Sequence, residues 1–203
     1  SDAGNTDSTR PSFAQRGNTY MALRNIIPDP LNDFGTSKQY QYYGLASRFQ
    51  VLSYNGKVDL NFFEPVQVSL WGQYAVNLAH DPFDIETKAV NNRGPVAEGE
   101  SYGKYDGGDT AWSAGIQLGD SKFTEAGDWN ISLGYRHVES DALVDAFVDS
   151  DFLGGTNSEG FIVRGGVAVS PNVFFGLRWV SGNEISGPPM KSDLILFDIN
   201  ASF

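Results

Sequence analysis

The chain has 203 residues, with 25 acidic and 14 basic side chains, a formal net charge of -11, 23 glycines and no cysteine. That charge excludes a binder of nucleic-acid phosphates, which needs a basic face, and disfavours docking to an anionic inner leaflet; the missing cysteine excludes a disulfide scaffold and thiolate chemistry. No apolar run reaches 18 residues, so no transmembrane helix is expected, while the abundant aromatics (Trp 4, Tyr 9, Phe 14) and glycines fit a membrane β-barrel or an extracellular β-sandwich.

Residues 1–12 read as a flexible arm of small and polar residues. Phe13 to Leu23 is a weak strand: Phe13, Met21 and Leu23 share a face, but Gln15 and Gly17 interrupt it. Pro28 and Pro30 break any ladder, because proline has no donor. Residues 28–49 then form a long connection with several tyrosines and a helical turn expected at Gly44–Phe49.

Gln50–Phe63 carries the clearest pattern. Leu52, Tyr54, Gly56, Val58, Leu60 and Phe62 alternate with Val51, Ser53, Asn55, Lys57, Asp59 and Asn61, the period of a strand with one apolar face. Asn55-Gly56 is also a hairpin signal, but alternation runs through the pair without a slip, which favours one long strand. Val66–Leu78 follows after Glu64-Pro65, with Trp71 on its polar side. Residues 80–109 are polar and glycine-rich, a surface loop. Thr110–Gly119 and Asp128–Glu139 are strands joined by a short turn, and 140–159 is a long acidic loop with one helical turn near Ala142–Phe147. Gly160–Ser170 and Val173–Ser181 flank the tight turn Pro171-Asn172. A loop over 182–191 leads to the last strand, Ser192–Phe203, whose Ile195, Phe197, Ile199, Ala201 and Phe203 share a face.

This makes about eight strands, one of them weak, whose connections alternate between short and long. An antiparallel up-and-down transmembrane β-barrel with short turns at one end and long outer loops at the other has that pattern, whereas a sandwich has no reason for it. Strands of this length also suit a tilted span of a bilayer. The even count places both ends of the barrel region, residues 13–203, on the short-turn side.

The segment Trp129–Glu139, with Asp141-Ala142 and Asp149–Phe152 after it, resembles the putative porin family of Gram-negative outer membranes. So do Tyr43–Ser47, Gly176-Leu177-Arg178, Asn183-Glu184-Ile185, Gly187-Pro188 and the ending Asp198–Phe203. The likeness runs from about Asn18 to the end. It implies a barrel in the bacterial outer membrane, in contact with its lipid, that passes small solutes or ions passively and is not an enzyme. It also implies that Phe203 is a signal read by the barrel-assembly machinery. Members of the family are usually longer, so the chain can be part of a larger barrel. Homo-oligomers are open at this stage, and a closed barrel with a structural or adhesive role or a soluble β-sandwich module are the alternatives.

The polar face carries Lys57, Asp59, Arg136, Arg164, Arg178 and Asp198. Charges cannot face lipid cheaply, so these residues are expected to line the lumen. They either border a channel or fill a closed interior in which Asp59 and Asp198 neutralise the arginines. Arg164 and Arg178 stand seven residues either side of Pro171, which puts them side by side if the hairpin is symmetric, with Arg136 at a similar height. Trp112, Trp129, Tyr135 and Trp179 are expected near strand ends as an interfacial aromatic girdle. Asp145, Asp149 and Asp151 form a candidate weak cation-binding loop, although they lack the spacing of a dedicated site and a solvated acidic loop is the plainer reading. His80 and His137 do not form a metal site. No cofactor, metal or nucleic-acid partner is expected.

Overall fold

The computed structural model describes residues 17–23, 30–31, 43–60 and 62–202. It is all-β apart from one helical turn, α1 (Pro82–Glu86), and short 3-10 turns. Two short strands, β1 (Tyr20–Ala22) and β2 (Tyr43–Leu45), pair with each other. Seven long ones form an antiparallel meander in strict sequence order: β3 (Val51–Leu60), β4 (Val68–Asn77), β5 (Thr110–Gly119), β6 (Trp129–Val138), β7 (Ser158–Ser170), β8 (Val173–Glu184) and β9 (Lys191–Ala201). No helix is long and apolar enough to cross a membrane.

Period-two alternation makes the two faces of this sheet chemically different. One row of paired residues, Val58, Leu70, Ile116, Leu133, Val163, Trp179 and Ile195, runs apolar across all seven strands. One residue along, on the opposite face, the row is Asp59, Ser69, Gln117, Ser132, Arg164, Arg178 and Leu196. The apolar face is bare. Tyr54, Val58, Trp112, Ile131, Leu177, Trp179 and Phe197 are all exposed, and among the described residues no second sheet covers them. A β-sandwich would bury this face, so the sandwich alternative does not hold.

Buried apolar clusters are small and lie at the end of the long connections. They are Ala75, Ala111, Val138 and Ala142; Ala46, Ile85 and Ala89; and Phe152, Ile162 and Val180. The short-turn end is set locally: the Asp128 carboxylate accepts from the Thr124 and Glu125 amides at 2.6 and 2.8 Å.

The weak first strand departs from expectation. Its described part, Tyr20–Ala22, pairs with β2 and not with the main sheet, which therefore has seven strands. Residues 17–23 pack instead among the long connections, because their polar side chains find partners there. Asn18 is fully buried, donating to the Ser140 and Leu143 carbonyls at 2.6 and 2.7 Å and accepting from the Asp145 amide at 2.8 Å. The chain thus enters β3 from the long-connection end, not the short-turn end. The helical turn expected at Gly44–Phe49 is replaced by β2 and a bend. Phe13 and the arm at 1–12 lie outside the described residues.

β3 and β9 are the free edges, and they run in the same direction. Pairing them directly would be parallel, so an antiparallel ring cannot close on these two edges alone.

Candidate functional site

All six charged residues assigned to the lumen, Lys57, Asp59, Arg136, Arg164, Arg178 and Asp198, share the polar face, and Trp112, Trp129, Tyr135 and Trp179 share the other. The hairpin at Pro171 brings Arg164 and Arg178 into direct register. Arg136 is not at their height. It pairs with Gly160 whereas Ser132 pairs with Arg164, so it stands four residues, about 13 Å, nearer the long-connection end.

The polar face is not open along its length. The connection between β6 and β7, residues 139–157, folds down onto it. Phe152 and Leu153 pack against Ile162, Val180 and Leu194, which explains why those apolar residues interrupt the polar face. Gly182 gives this loop room: a Cβ there would lie 2.7 Å from the Leu153 side chain. Arg136 holds the loop from below, donating to the Gly155 carbonyl at 2.8 Å with its guanidinium 4.7 Å from the centre of the Phe152 ring. Arg178 holds it from the side, 2.5 Å from Asp151 and 3.5 Å from Asp149.

These contacts correct the expected counter-charges. Asp59 is in the row of Arg164 and Arg178 but four and five strands away from them, and it pairs with Lys57 at 2.9 Å and accepts from Ser69 at 2.5 Å. Asp198 pairs with Gly176, two residues below Arg178 on the neighbouring strand. The carboxylates that reach Arg178 come from the folded loop instead. The residues of the expected cation-binding loop have protein partners as well. Asp149 and Asp151 are engaged with Arg178, while Asp145 is buried beside the Tyr20 hydroxyl at 3.2 Å. Among the described residues no group of three acidic or histidine side chains could hold a metal ion.

Between the loop and the upper wall lies a cavity of about 420 Å³. Ser53, Gln73, Ser113 and Arg136 form its polar wall, and Leu143, Phe147 and Asp149 its loop side. Phe147 is 90% exposed. Deeper down, Trp71 lies across Gly115 and Gly134, its ring within 2.5 and 2.9 Å of where a Cβ would stand on each. This is packing against a glycine floor on the polar face.

Above the site the long connections are tied together by a buried polar network. Asp141 is fully buried and accepts from the Thr19 amide at 3.0 Å, the Thr19 hydroxyl and the Tyr105 hydroxyl at 2.8 Å. Asn77 donates to the Asp141 carbonyl at 2.9 Å, and Asn157 donates to the Ser186 carbonyl at 2.8 Å. Burial, then the Asp141 charge, push the Tyr105 phenol well above its ordinary pKa. The Tyr105 amide, then Arg93, hold the Glu86 carboxyl below the usual carboxylate range.

Of the four aromatic residues, Trp112 and Tyr135 stand toward the long-connection end and stack at 5.4 Å; Trp129 begins β6 at the short-turn end. Trp179 is near the middle of β8 rather than at a strand end. His137 bonds Glu159 at 2.9 Å on the apolar face, at its upper rim. Phe203 lies outside the described residues.

A family model described as a putative porin matches residues 1–203, the whole chain. No curated protein and no solved structure matches it.

Proposed function

Because the chain belongs to the putative porin family, we propose that it forms the wall of an outer-membrane channel for passive passage of small solutes or ions. One observation carries this reading: a sheet seven strands wide with one continuous, uncovered apolar face and one charged face. Water does not favour so wide an apolar surface, whereas a bilayer does. The charged face then borders the lumen, with Lys57, Asp59, Arg136, Arg164, Arg178 and Asp198 along it. Trp112, Trp129, Tyr135 and Trp179 face lipid, and Phe203 serves barrel assembly. Closure takes an odd number of further strands beside β3 and β9, giving the even total usual for bacterial barrels. The long connections face outside, and the loop at 139–157 narrows the passage from within.

The folded loop also favours a second reading, a barrel closed by its own interior. Swelling of proteoliposomes in a small neutral sugar separates the two. Swelling above protein-free vesicles supports the channel. Protein that inserts and resists extraction but gives no swelling refutes the channel in favour of the closed barrel.

A further inference from the structure

Within the proposed channel, the two paired arginines are not equivalent. Arg178 already holds two carboxylates, Asp149 and Asp151 of the folded loop. Arg164, its direct neighbour across the hairpin, is exposed, and among the described residues no carboxylate lies within ion-pair distance of it. The third arginine of this wall, Arg136, is buried under the loop and engaged with Gly155 and Phe152. One guanidinium is thus presented to the lumen beside another that shows, through Asp151, which ligand such a group takes at this place. Below Arg164 the next residue on its face is Gly166, with Gly176 across the pair, and the Phe123 ring and the Asp198 side chain occupy the space over these two glycines.

We propose that Arg164 is the contact that selects the solute, and that the selected class is small carboxylate-bearing anions. A guanidinium offers a planar fork that matches a carboxylate with two parallel hydrogen bonds. An exposed fork binds weakly enough to release what it holds, as conduction needs. Asp149 and Asp151 act as tethered competitors: they keep Arg178 neutralised, so a passing anion meets one free arginine rather than two. The overall acidity of the chain does not oppose this, because most of its carboxylates belong to connections and turns rather than to the polar face.

This inference rests on the channel reading, and one experiment keeps the two apart. Reversal potentials are recorded in planar bilayers across gradients of potassium chloride and potassium acetate, for wild type, Arg164→Gln, Arg164→Lys and the charge-neutral double variant Arg178→Gln with Asp151→Asn. Arg164→Gln should lower the anion-to-cation permeability ratio about sevenfold, since one unit charge about 7 Å from a path in water attracts the anion by about one RT and repels the cation by as much. The double variant should stay close to wild type. Arg164→Lys should keep the chloride ratio but lose the preference for acetate, because the charge remains and the fork does not. Steady wild-type conductance that is indifferent to Arg164→Gln, or equally lowered by the double variant, overturns the role of Arg164. Acetate preference retained by Arg164→Lys overturns the carboxylate class. No wild-type conductance at all overturns the channel itself.

Discussion

Consider an alanine placed on the glycine floor beneath Trp71. At Gly134 the new Cβ would lie 2.9 and 3.1 Å from two Trp71 ring atoms, and its next neighbour, the Ala114 carbonyl, is at 3.5 Å. Carbon pairs sit best at about 3.5–4.0 Å, so the ring must withdraw by somewhat under an ångström. At Gly115 the Cβ would lie 2.5 Å from the ring and also 2.6 Å from the Leu133 carbonyl, which is backbone of the next strand and cannot rotate away. Overpacking costs about 1–3 kcal/mol, and replacing a strand glycine returns about 0.4–1 kcal/mol through the unfolded chain. Gly134→Ala should therefore lose about 1 kcal/mol and Gly115→Ala about 2 kcal/mol or more. The sharper test is the background Trp71→Leu. There Gly134→Ala should become neutral or stabilising, whereas Gly115→Ala stays destabilising. Urea unfolding of the protein in detergent micelles, followed by tryptophan-independent circular dichroism, gives the four values. If Gly134→Ala is equally costly with and without the Trp71 ring, that ring is not lying on Gly134 and the packing described for the polar face is wrong.

Arg136→Met keeps the buried stem but loses the charged bond to Gly155, and should lower stability by about 1–3 kcal/mol and open residues 139–157 to proteolysis. The Asp128 carboxyl is held below its usual range first by the Thr124 amide and then by that of Glu125. Its contribution is therefore present above the ordinary carboxylate pKa and is lost as pH falls through the depressed one, so acid unfolding of Asp128→Asn should show a weaker pH dependence there. The Tyr105 phenol is raised, so it favours the folded state up to about pH 10 and the advantage fades above that. An alkaline absorbance titration of folded protein should show the same number of tyrosines ionising in wild type and in Tyr105→Phe, although the wild type has one more. Single cysteines at Tyr102 and Asn172, both exposed on opposite ends of the sheet, should be labelled differently on whole cells by an impermeant thiol reagent, the first alone.

The seven long strands were legible because a sheet with one apolar and one polar face forces period two, and that period survives without any knowledge of partners. The pairing of Arg164 with Arg178 was legible for a related reason: a tight turn fixes hairpin register locally. The neighbours of those arginines were not. Asp149 and Asp151 reach Arg178 through a long connection whose path depends on Phe152 finding Ile162 and Val180, a contact no local pattern encodes. Phe152 and Leu153 in an otherwise acidic stretch are the one signal that could have suggested an inward anchor. Likewise Asn18 and Thr19 read as ordinary polar residues of a weak strand, because their partners Ser140, Leu143 and Asp141 lie more than a hundred residues away.

The most direct test of the account is which face of the sheet meets lipid. Trp112, Trp129 and Trp179 stand on the apolar face, each 42% exposed, and Trp71 stands on the other. Variants retaining one tryptophan each, reconstituted in vesicles containing brominated lipid chains, should show strong fluorescence quenching for residues 112, 129 and 179 and little for residue 71. Quenching of Trp71 alone, or of none of the four, would contradict the assignment of the apolar face to the membrane and with it the channel.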